Sequence, residues 1–406
     1  MTKFAKMSMV AAVAVAGFAS TASAGNLEDA IKGVQVSGYV DYRLENKSVE
    51  NNSAKSFNVN EYAVNVTANS KVNDVVSATV SVGFDEVTTD NTNSNESSAA
   101  NQDANPSLNV DKAYFTANIG GVALMAGKQA IPSVFVDKVD TVKTGAGVVA
   151  LSKINDSLTV AAAHFMNNNI KTVFGTTTMT GHTAEVLATD TKTTELVAVI
   201  NAGIANVEAR YNMTDVAHLG GGTEADGYYV KATANVAGIA LDARYAAMSA
   251  DSADGLKWAD SSVAQLRAST NVGPVTLNAA VAKADKSLGS NAVKTDVALD
   301  GDNDADTHLK VWQLSTAAIT NKGNAYSVGA SMPVAQNVTA SLTYAQATDD
   351  GVGAAHDTDY TETLAQLTYK MSNNFTVHGR YSVLNTDTGT TDTDTKYSRI
   401  QVRYTF

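Results

Sequence analysis

Cysteine is absent from the 406-residue sequence, and proline occurs only four times. The lack of cysteine excludes disulfide bonds and thiolate metal sites, so the fold must be stable without covalent cross-links. The scarcity of proline and the even composition along the chain give no sign of a linker between domains. Also missing is any run of roughly 18 apolar residues, which a membrane-spanning helix would need. We therefore expect one domain without a helical anchor.

Basic residues are outnumbered, since Lys and Arg total 29 against 41 Asp and Glu, for a formal net charge of −12. This balance argues against nucleic acid as a partner, because binding to phosphates requires positive charge. The six histidines are scattered without metal-ligand spacing, and the Ser-rich segments contain no nucleophile-elbow motif. The sequence predicts a protein that is not an enzyme and has no cofactor.

The amino terminus has the pattern of an exported protein. Two lysines precede an apolar run from Met7 to Ala19, and small residues follow at Ala22–Ala24. These are the features of a bacterial secretory signal, with cleavage expected after the last small residue. We predict a signal peptide over residues 1–24 and a mature domain over residues 25–406.

Alternation of apolar and polar residues, bounded by turn residues, indicates about eighteen β-strands between Val34 and Phe406. Most are close to the length of about nine to eleven residues that a tilted strand needs to cross a bilayer. The predicted strands cover residues 34–45, 56–69, 74–86, 108–119, 122–128, 145–153, 157–167, 194–201, 204–213, 225–236, 239–249, 262–272, 275–285, 324–334, 338–348, 358–371, 375–386 and 395–406.

The connections between these strands alternate between short and long. Short ones include Gly120-Gly121 and Ala237-Gly238, and long segments rich in Asn, Asp, Thr and Ser, such as Val87–Ser107 and Lys286–Gly323, lie between them. An outer-membrane barrel has this pattern, with short periplasmic turns, long outer loops and an even number of strands. In a soluble β-sandwich, short and long connections need not alternate along the chain. The prediction is an all-β transmembrane antiparallel β-barrel in the bacterial outer membrane.

The carboxyl terminus ends on an aromatic residue. In KYSRIQVRYTF, Phe406, Tyr404, Val402 and Ile400 share the apolar face that is predicted to contact lipid. Outer-membrane barrels generally end in this way, and the barrel assembly machinery is understood to recognise the terminal aromatic. We therefore predict that Phe406 is an assembly signal and that the last strand closes onto the first.

All arginines fall on the strand face that is predicted to line the lumen. They are Arg43, Arg210, Arg244, Arg267, Arg380, Arg399 and Arg403. An arginine on the lipid face near the midplane would cost roughly 2–4 kcal/mol. Arg43, Arg380, Arg399 and Arg403 come from the first strand and the last two strands, which are neighbours once the barrel closes. These four are predicted to form a basic wall along the pore.

Three stretches have a more specific pattern. They are the mature start Asn26–Arg43, the segment Ala126–Ala163 that includes Gly127-Lys128-Gln129, and the chain end Arg399–Phe406. These stretches resemble the Campylobacter-type (epsilonproteobacterial) major outer membrane porin family. The resemblance implies a homotrimer of eighteen-stranded diffusion pores, in which the loop after strand five folds inward as a constriction loop.

Two acids on that loop, Asp137 and Asp140, would then face the basic wall and create a transverse field that orients polar solutes. A second interpretation stays open, because Arg43 has Asp41 and Glu45 close by on its own strand. In that case the arginines would only pair with neighbouring acids and compensate their charges in the barrel interior.

Alternating aspartates in one long loop resemble the start of a calcium-binding loop. They are Asp300, Asp302, Asp304 and Asp306. The sixth position holds Ala305 instead of the turn glycine, and the twelfth holds Val311 instead of a bidentate acid, which argues against an EF-hand. We interpret the segment as a solvated acidic loop, with a weakly bound divalent cation such as calcium as the alternative.

These features predict a passive porin, a water-filled channel for ions and small hydrophilic solutes with a weak preference for cations. The expected partners are outer-membrane lipid, lipopolysaccharide and the barrel assembly machinery. A non-conducting surface-layer or adhesin protein is the alternative, favoured by the acidic loops and by a composition rich in Ala, Thr, Val and Asn.

Overall fold

A computed structural model describes the strands and part of their connections. It covers residues 33–50, 56–90, 108–135, 144–168, 191–218, 221–252, 257–285, 292–294, 309, 311–314, 319, 322–350 and 357–406. The predicted signal peptide, the acids Asp137 and Asp140, and the four aspartates at residues 300–306 lie outside the described residues. Within the ranges given above, no helix has the length and apolar content needed to cross a membrane.

The described residues form long strands at every position that the sequence predicts, with ends that differ by a few residues. The strands are β1 (Val34–Val49), β2 (Phe57–Lys71), β3 (Val76–Asp90), β4 (Asn109–Ile119), β5 (Val122–Ala130), β6 (Thr144–Asn155), β7 (Leu158–Asn168), β8 (Thr191–Asn201), β9 (Ala205–His218), β10 (Gly221–Val236), β11 (Ile239–Ser252), β12 (Lys257–Ala259), β13 (Ser261–Val272), β14 (Val275–Asp285), β15 (Ala292–Lys294), β16 (Lys322–Ala335), β17 (Val338–Asp350), β18 (Thr358–Lys370), β19 (Phe375–Asp387) and β20 (Asp392–Thr405). The short strands β12 and β15 form an additional parallel pair.

Each long strand pairs antiparallel with the next long strand, and β20 returns to pair with β1. At this seam Asp41 lies opposite Arg403, and Glu45 lies opposite Arg399. Phe406 extends the seam, because its amide donates to the Gly38 carbonyl at 3.0 Å and its carbonyl accepts from the Gly38 amide at 2.9 Å. The eighteen long strands therefore form a closed antiparallel barrel, as predicted.

Tight turns connect the strands at one end of the barrel. Gly120 and Gly121 have φ angles of 58° and 83°, and Ala237 and Gly238 have φ angles of 51° and 84°. A two-residue hairpin turn of type I′ requires positive φ at both central positions, which glycine adopts without strain. These turns are among the short connections that the sequence predicted, and the parity of the strands places them at the same end.

The two faces of the sheet differ in burial and polarity. In β17, Leu342 is 58% exposed and points outward, whereas Ala345, three residues further along the strand, is fully buried and points inward. The outward face carries exposed Val, Leu, Ile and Tyr side chains around the barrel, and many buried polar residues lie on the inward face. This arrangement is the reverse of a water-soluble protein and suits a wall that is surrounded by lipid.

The terminal aromatic ring also has a defined position on the outward face. A Cβ atom at Gly38 would lie 2.7 Å from Phe406 Cζ and 2.2 Å from the Asn65 carbonyl oxygen, so only glycine allows this close approach. Tyr404 and Phe406 pack with 6.0 Å between their ring centroids. The role of Phe406 as an assembly signal stays a prediction.

Candidate pore lining

The four arginines of the predicted basic wall share the inward face of β1, β19 and β20. Arg380 lies directly opposite Arg399, and Arg43 lies opposite Gln401. Ile400 and Tyr404, which alternate with the arginines of β20, are exposed on the outer surface. The fold therefore brings these arginines together on one wall.

Acids from neighbouring strands accompany these arginines. Arg399 Nε and Nη2 contact Glu45 Oε2 at 2.7 and 2.5 Å. Arg403 Nε donates to Asp41 Oδ2 at 2.5 Å, and Gln401 Nε2 donates to both oxygens of Asp41. Asp41 and Glu45, which the sequence offered as partners of Arg43, thus pair with arginines of the closing strand.

Arg43 contacts Glu61 on β2. Positive and negative side chains therefore alternate along the inward face of β1 in the order Asp41, Arg43 and Glu45, and each lies beside an opposite charge from the adjacent strand. Such pairing compensates each charge in surroundings of low dielectric constant. The net positive charge of the wall is therefore smaller than the number of its arginines suggests.

A segment directly after β5, residues Ile131–Phe135, packs against the inward face of β9 and β10, and we call it the first inner segment. Arg210 Nη1 donates to the Pro132 carbonyl at 2.5 Å. Asn212 Nδ2 lies 3.5 Å from Ser133 Oγ, which accepts from the Phe135 amide at 3.1 Å. The connection after β5 therefore begins inside the barrel.

Phe135 anchors the first inner segment through packing. Its side chain is 1% exposed, and its ring lies over Gly227, where an added Cβ would be 2.8 Å from Cζ. Because Asp137 and Asp140 lie outside the described residues, the inward course of the whole loop and the transverse field stay predictions.

Arg210 is held by two acids on the same wall. Its Nη1 lies 2.7 Å from Glu195 Oε1, and its Nε donates to Glu208. Glu195 also accepts from Asn212 Nδ2 at 3.3 Å, and Thr214 Oγ1 donates to Asn212 Oδ1 at 2.8 Å. This chain of hydrogen bonds fixes the guanidinium group that reaches the first inner segment.

A second inner segment consists of the described residues Leu309, Val311–Leu314 and Ile319, which are buried except for the half-buried Gln313. The amides of Trp312, Gln313 and Leu314 donate to the carboxylate of Glu362 on β18, at 3.2, 2.8 and 2.6 Å. Ser382 Oγ donates to the same carboxylate at 2.5 Å. One buried acid of the wall thus binds three consecutive amides of this segment.

Sequence patterns did not predict the second inner segment, because residues 286–323 together have the composition of a long outer loop. The signal was present in Val311-Trp312-Gln313-Leu314, a largely apolar stretch that contains one of the two tryptophans of the chain. An apolar stretch with tryptophan inside a polar loop indicates a buried position. Composition averaged over the loop hid this stretch.

The described part of the interior offers charge and hydrogen bonding. Thr67 donates to Ser81 at 3.0 Å, and Asn69 donates to Thr79 at 2.7 Å, so hydroxyls and amides line the wall between the charged pairs. Among the described residues there is no group of three or more His, Asp or Glu side chains that could hold a metal ion. The arrangement suits contact with water and polar solutes.

A protein-family model supports the outer-membrane assignment. The model described as "Campylobacter major outer membrane protein" matches residues 2–406. This match covers the whole predicted domain and all three stretches that carried the resemblance, and it places the chain in the outer membrane. Among curated protein sequences, none matches this chain significantly.

Solved structures with the same barrel include three bacterial proteins. Acinetobacter baumannii OccAB4 is 14% identical, with a TM-score of 0.69 over 92% of this chain and 98% of its own. Pseudomonas aeruginosa OpdQ is 11% identical, with a TM-score of 0.66 over 92% and 98% of the two chains. Pseudomonas aeruginosa OpdK, solved with vanillate, is 11% identical, with a TM-score of 0.65 over 92% and 99%. At these identities the likeness shows the fold alone.

Proposed function

The chain belongs to the Campylobacter major outer membrane protein family, and we propose that it forms a water-filled channel for passive diffusion of ions and small hydrophilic solutes. The observation that carries this proposal is the closed barrel whose outward face is apolar and whose inward face holds paired charges, hydroxyls and amides. Such a wall replaces part of the hydration of a polar solute and excludes apolar ones. The family and the fold indicate a channel rather than an enzyme.

We propose a weak preference for cations. The formal net charge is −12, and loss of residues 1–24 would remove two lysines and no acid. Arg399, Arg403 and Arg43 have acids beside them on the wall, which reduces their attraction for anions. Fields from exposed loops are screened beyond roughly 8–10 Å at ordinary salt, so the preference should be strongest at low ionic strength.

The remaining expectations belong to the same proposal. The chain would be exported with residues 1–24 as its signal peptide, recognised by the barrel assembly machinery through Phe406, and assembled as a homotrimer among lipid and lipopolysaccharide. It would act without a cofactor, and any divalent cation at Asp300, Asp302, Asp304 and Asp306 would be weakly bound.

Recordings from planar lipid bilayers test the proposed function directly. Purified protein should insert in discrete steps of ohmic conductance, and a salt gradient should give a small reversal potential of cationic sign that decreases at higher salt. Protein that inserts or assembles but carries no current would contradict the channel and would favour the surface-layer or adhesin alternative.

A further inference from the structure

One part of the inward face is apolar and closely covered. It spans the neighbouring strands β11, β13, β14, β16 and β17, and we call it the alanine wall. Its members include Ala246, Val263, Ala284, Ala325, Ala345 and Ala347, each of which is at most 3% exposed. Side chains that faced an open, water-filled lumen would be exposed, so other parts of the chain must cover this wall.

The two inner segments provide this cover. Leu314 and Ile319 of the second inner segment and Phe135 of the first belong to the same buried apolar cluster as the alanine wall. The approach to the wall is close, because a Cβ atom at Gly323 on β16 would lie 2.9 Å from Ile319 Cγ2. Small side chains on the wall leave room for the larger ones of the segments, and this contact removes apolar surface from water. The lumen beside the alanine wall is therefore filled by protein.

The inward face of β1 and β2, in contrast, is polar and only partly covered. Its partly exposed side chains are Arg43, Glu45, Lys47, Asn65, Thr67 and Asn69, and we call them the polar strip. The Arg43 and Glu45 side chains are 12% and 16% exposed, and Asp41 and Glu61 lie buried beside them as ion-pair partners. The strip extends from Lys47, close to the outer end of β1, to Asn69, close to the short turn after β2.

We propose that ions and solutes cross the barrel along the polar strip, and that the alanine wall is a stably covered surface on which the two inner segments pack. The inference rests on the proposed channel function and names the side of the lumen that permeating solutes contact. An ion beside apolar side chains loses hydration without replacement, whereas charged groups, hydroxyls and amides replace part of it. Water and solutes therefore meet the paired charges of β1 and not the opposite wall.

The first test is the accessibility of single cysteines, since the wild type contains none. Lys47→Cys and Thr67→Cys sample the polar strip, and Ala284→Cys and Ala345→Cys sample the alanine wall. The charged reagent 2-sulfonatoethyl methanethiosulfonate should label the first pair at least about tenfold faster, because a thiol buried among apolar groups is out of reach and ionises less readily. The mass of the protein measures labelling, and all four variants should label completely in denaturant. Equal rates in the folded barrels would overturn the inference.

The second test links the polar strip to the current. In planar bilayers, labelling Lys47→Cys with the sulfonate reagent should shift the reversal potential toward cations, and a trimethylammonium reagent should shift it toward anions. Treatment of Ala345→Cys should cause neither shift. If labelled Lys47→Cys conducts with an unchanged reversal potential, the path does not follow the strip. A wild type without current would instead contradict the proposed function, while the labelling rates would still report the cover of the alanine wall.

The third test removes part of the cover. Leu314→Ala together with Ile319→Ala, added to Ala345→Cys, should raise its labelling rate several-fold, because two buried side chains of the second inner segment are lost. The matched control adds Leu367→Ala and Ile400→Ala instead, which shorten a leucine and an isoleucine on the outward face, where they are 55% and 57% exposed. This control should leave the labelling rate unchanged. No increase in the first variant, or an equal increase in both, would overturn the covering role of the second inner segment.

Discussion

The two inner segments are attached to the barrel wall with opposite polarity. In the first, the guanidinium group of Arg210 on the wall donates a hydrogen bond to the carbonyl of Pro132. In the second, the carboxylate of Glu362 on the wall accepts hydrogen bonds from the backbone amides of Trp312, Gln313 and Leu314. Backbone groups inside a barrel need partners, and charged wall residues supply the stronger hydrogen bonds. Charged residues of the wall therefore hold the two inner segments inside the barrel.

The aromatic anchors of the two segments differ as well. Phe135 lies over Gly227 and fills space, whereas Trp312 lies over Arg380 and Arg399 and covers charge. From this difference we expect loss of the Phe135 ring to affect mainly packing and stability, whereas loss of the Trp312 ring would also remove two cation–π contacts.

The largest effect is expected from Arg210→Met, which removes the wall cation that binds the first inner segment. Glu195, which is buried, would lose its charged partner, and breaking a buried pair costs roughly 3–5 kcal/mol. Heat or urea unfolding in detergent should show this loss of stability. Lys322→Met is the control, because both side chains of the Lys322–Asp285 pair are about half exposed and such pairs contribute about 1 kcal/mol or less. Equal losses in both variants would contradict the anchoring role of Arg210.

A medium effect is expected from Gly227→Ala, which adds a methyl group under Phe135. The new Cβ would lie 2.8 Å from the ring, so the ring or the first segment must move, at a cost of roughly 1–3 kcal/mol. The same unfolding measurement applies, and single-channel conductance should change. At Gly379 an added Cβ meets no atom within 4 Å, so Gly379→Ala should leave stability nearly unchanged. Similar losses at both positions would show that packing under Phe135 is unimportant.

The smallest effect is expected from neutralising the two acids after the first segment, Asp137→Asn together with Asp140→Asn. If the chain continues inward from Phe135, the reversal potential should shift modestly toward anions and less at high salt, because loss of two acids lowers the attraction for cations and salt screens that attraction. Asp156→Asn, in an exposed turn beside Lys153, is the control and should cause no shift. A double variant that behaves like this control would place Asp137 and Asp140 away from the narrow part of the pore.

Strand positions and the barrel could be predicted because their signals are local. The alternation in Ile400, Val402 and Tyr404 identifies the lipid face within one strand, and Ala237-Gly238 marks a turn that requires positive φ. Counting such segments and sorting their connections by length then indicated a closed barrel. The inward placement of the arginines followed from the same alternation.

The sequence alone determined which face of each strand meets lipid, because side chains alternate with a period of two and an arginine in lipid is costly. Only the tertiary structure decided which acid accompanies each arginine, since Asp41 pairs with Arg403 through the register of strands that are far apart in the chain. It also decided that Trp312 lies inside the barrel on Glu362, a contact across 50 residues. Such contacts depend on closure of the whole sheet, which no local pattern encodes.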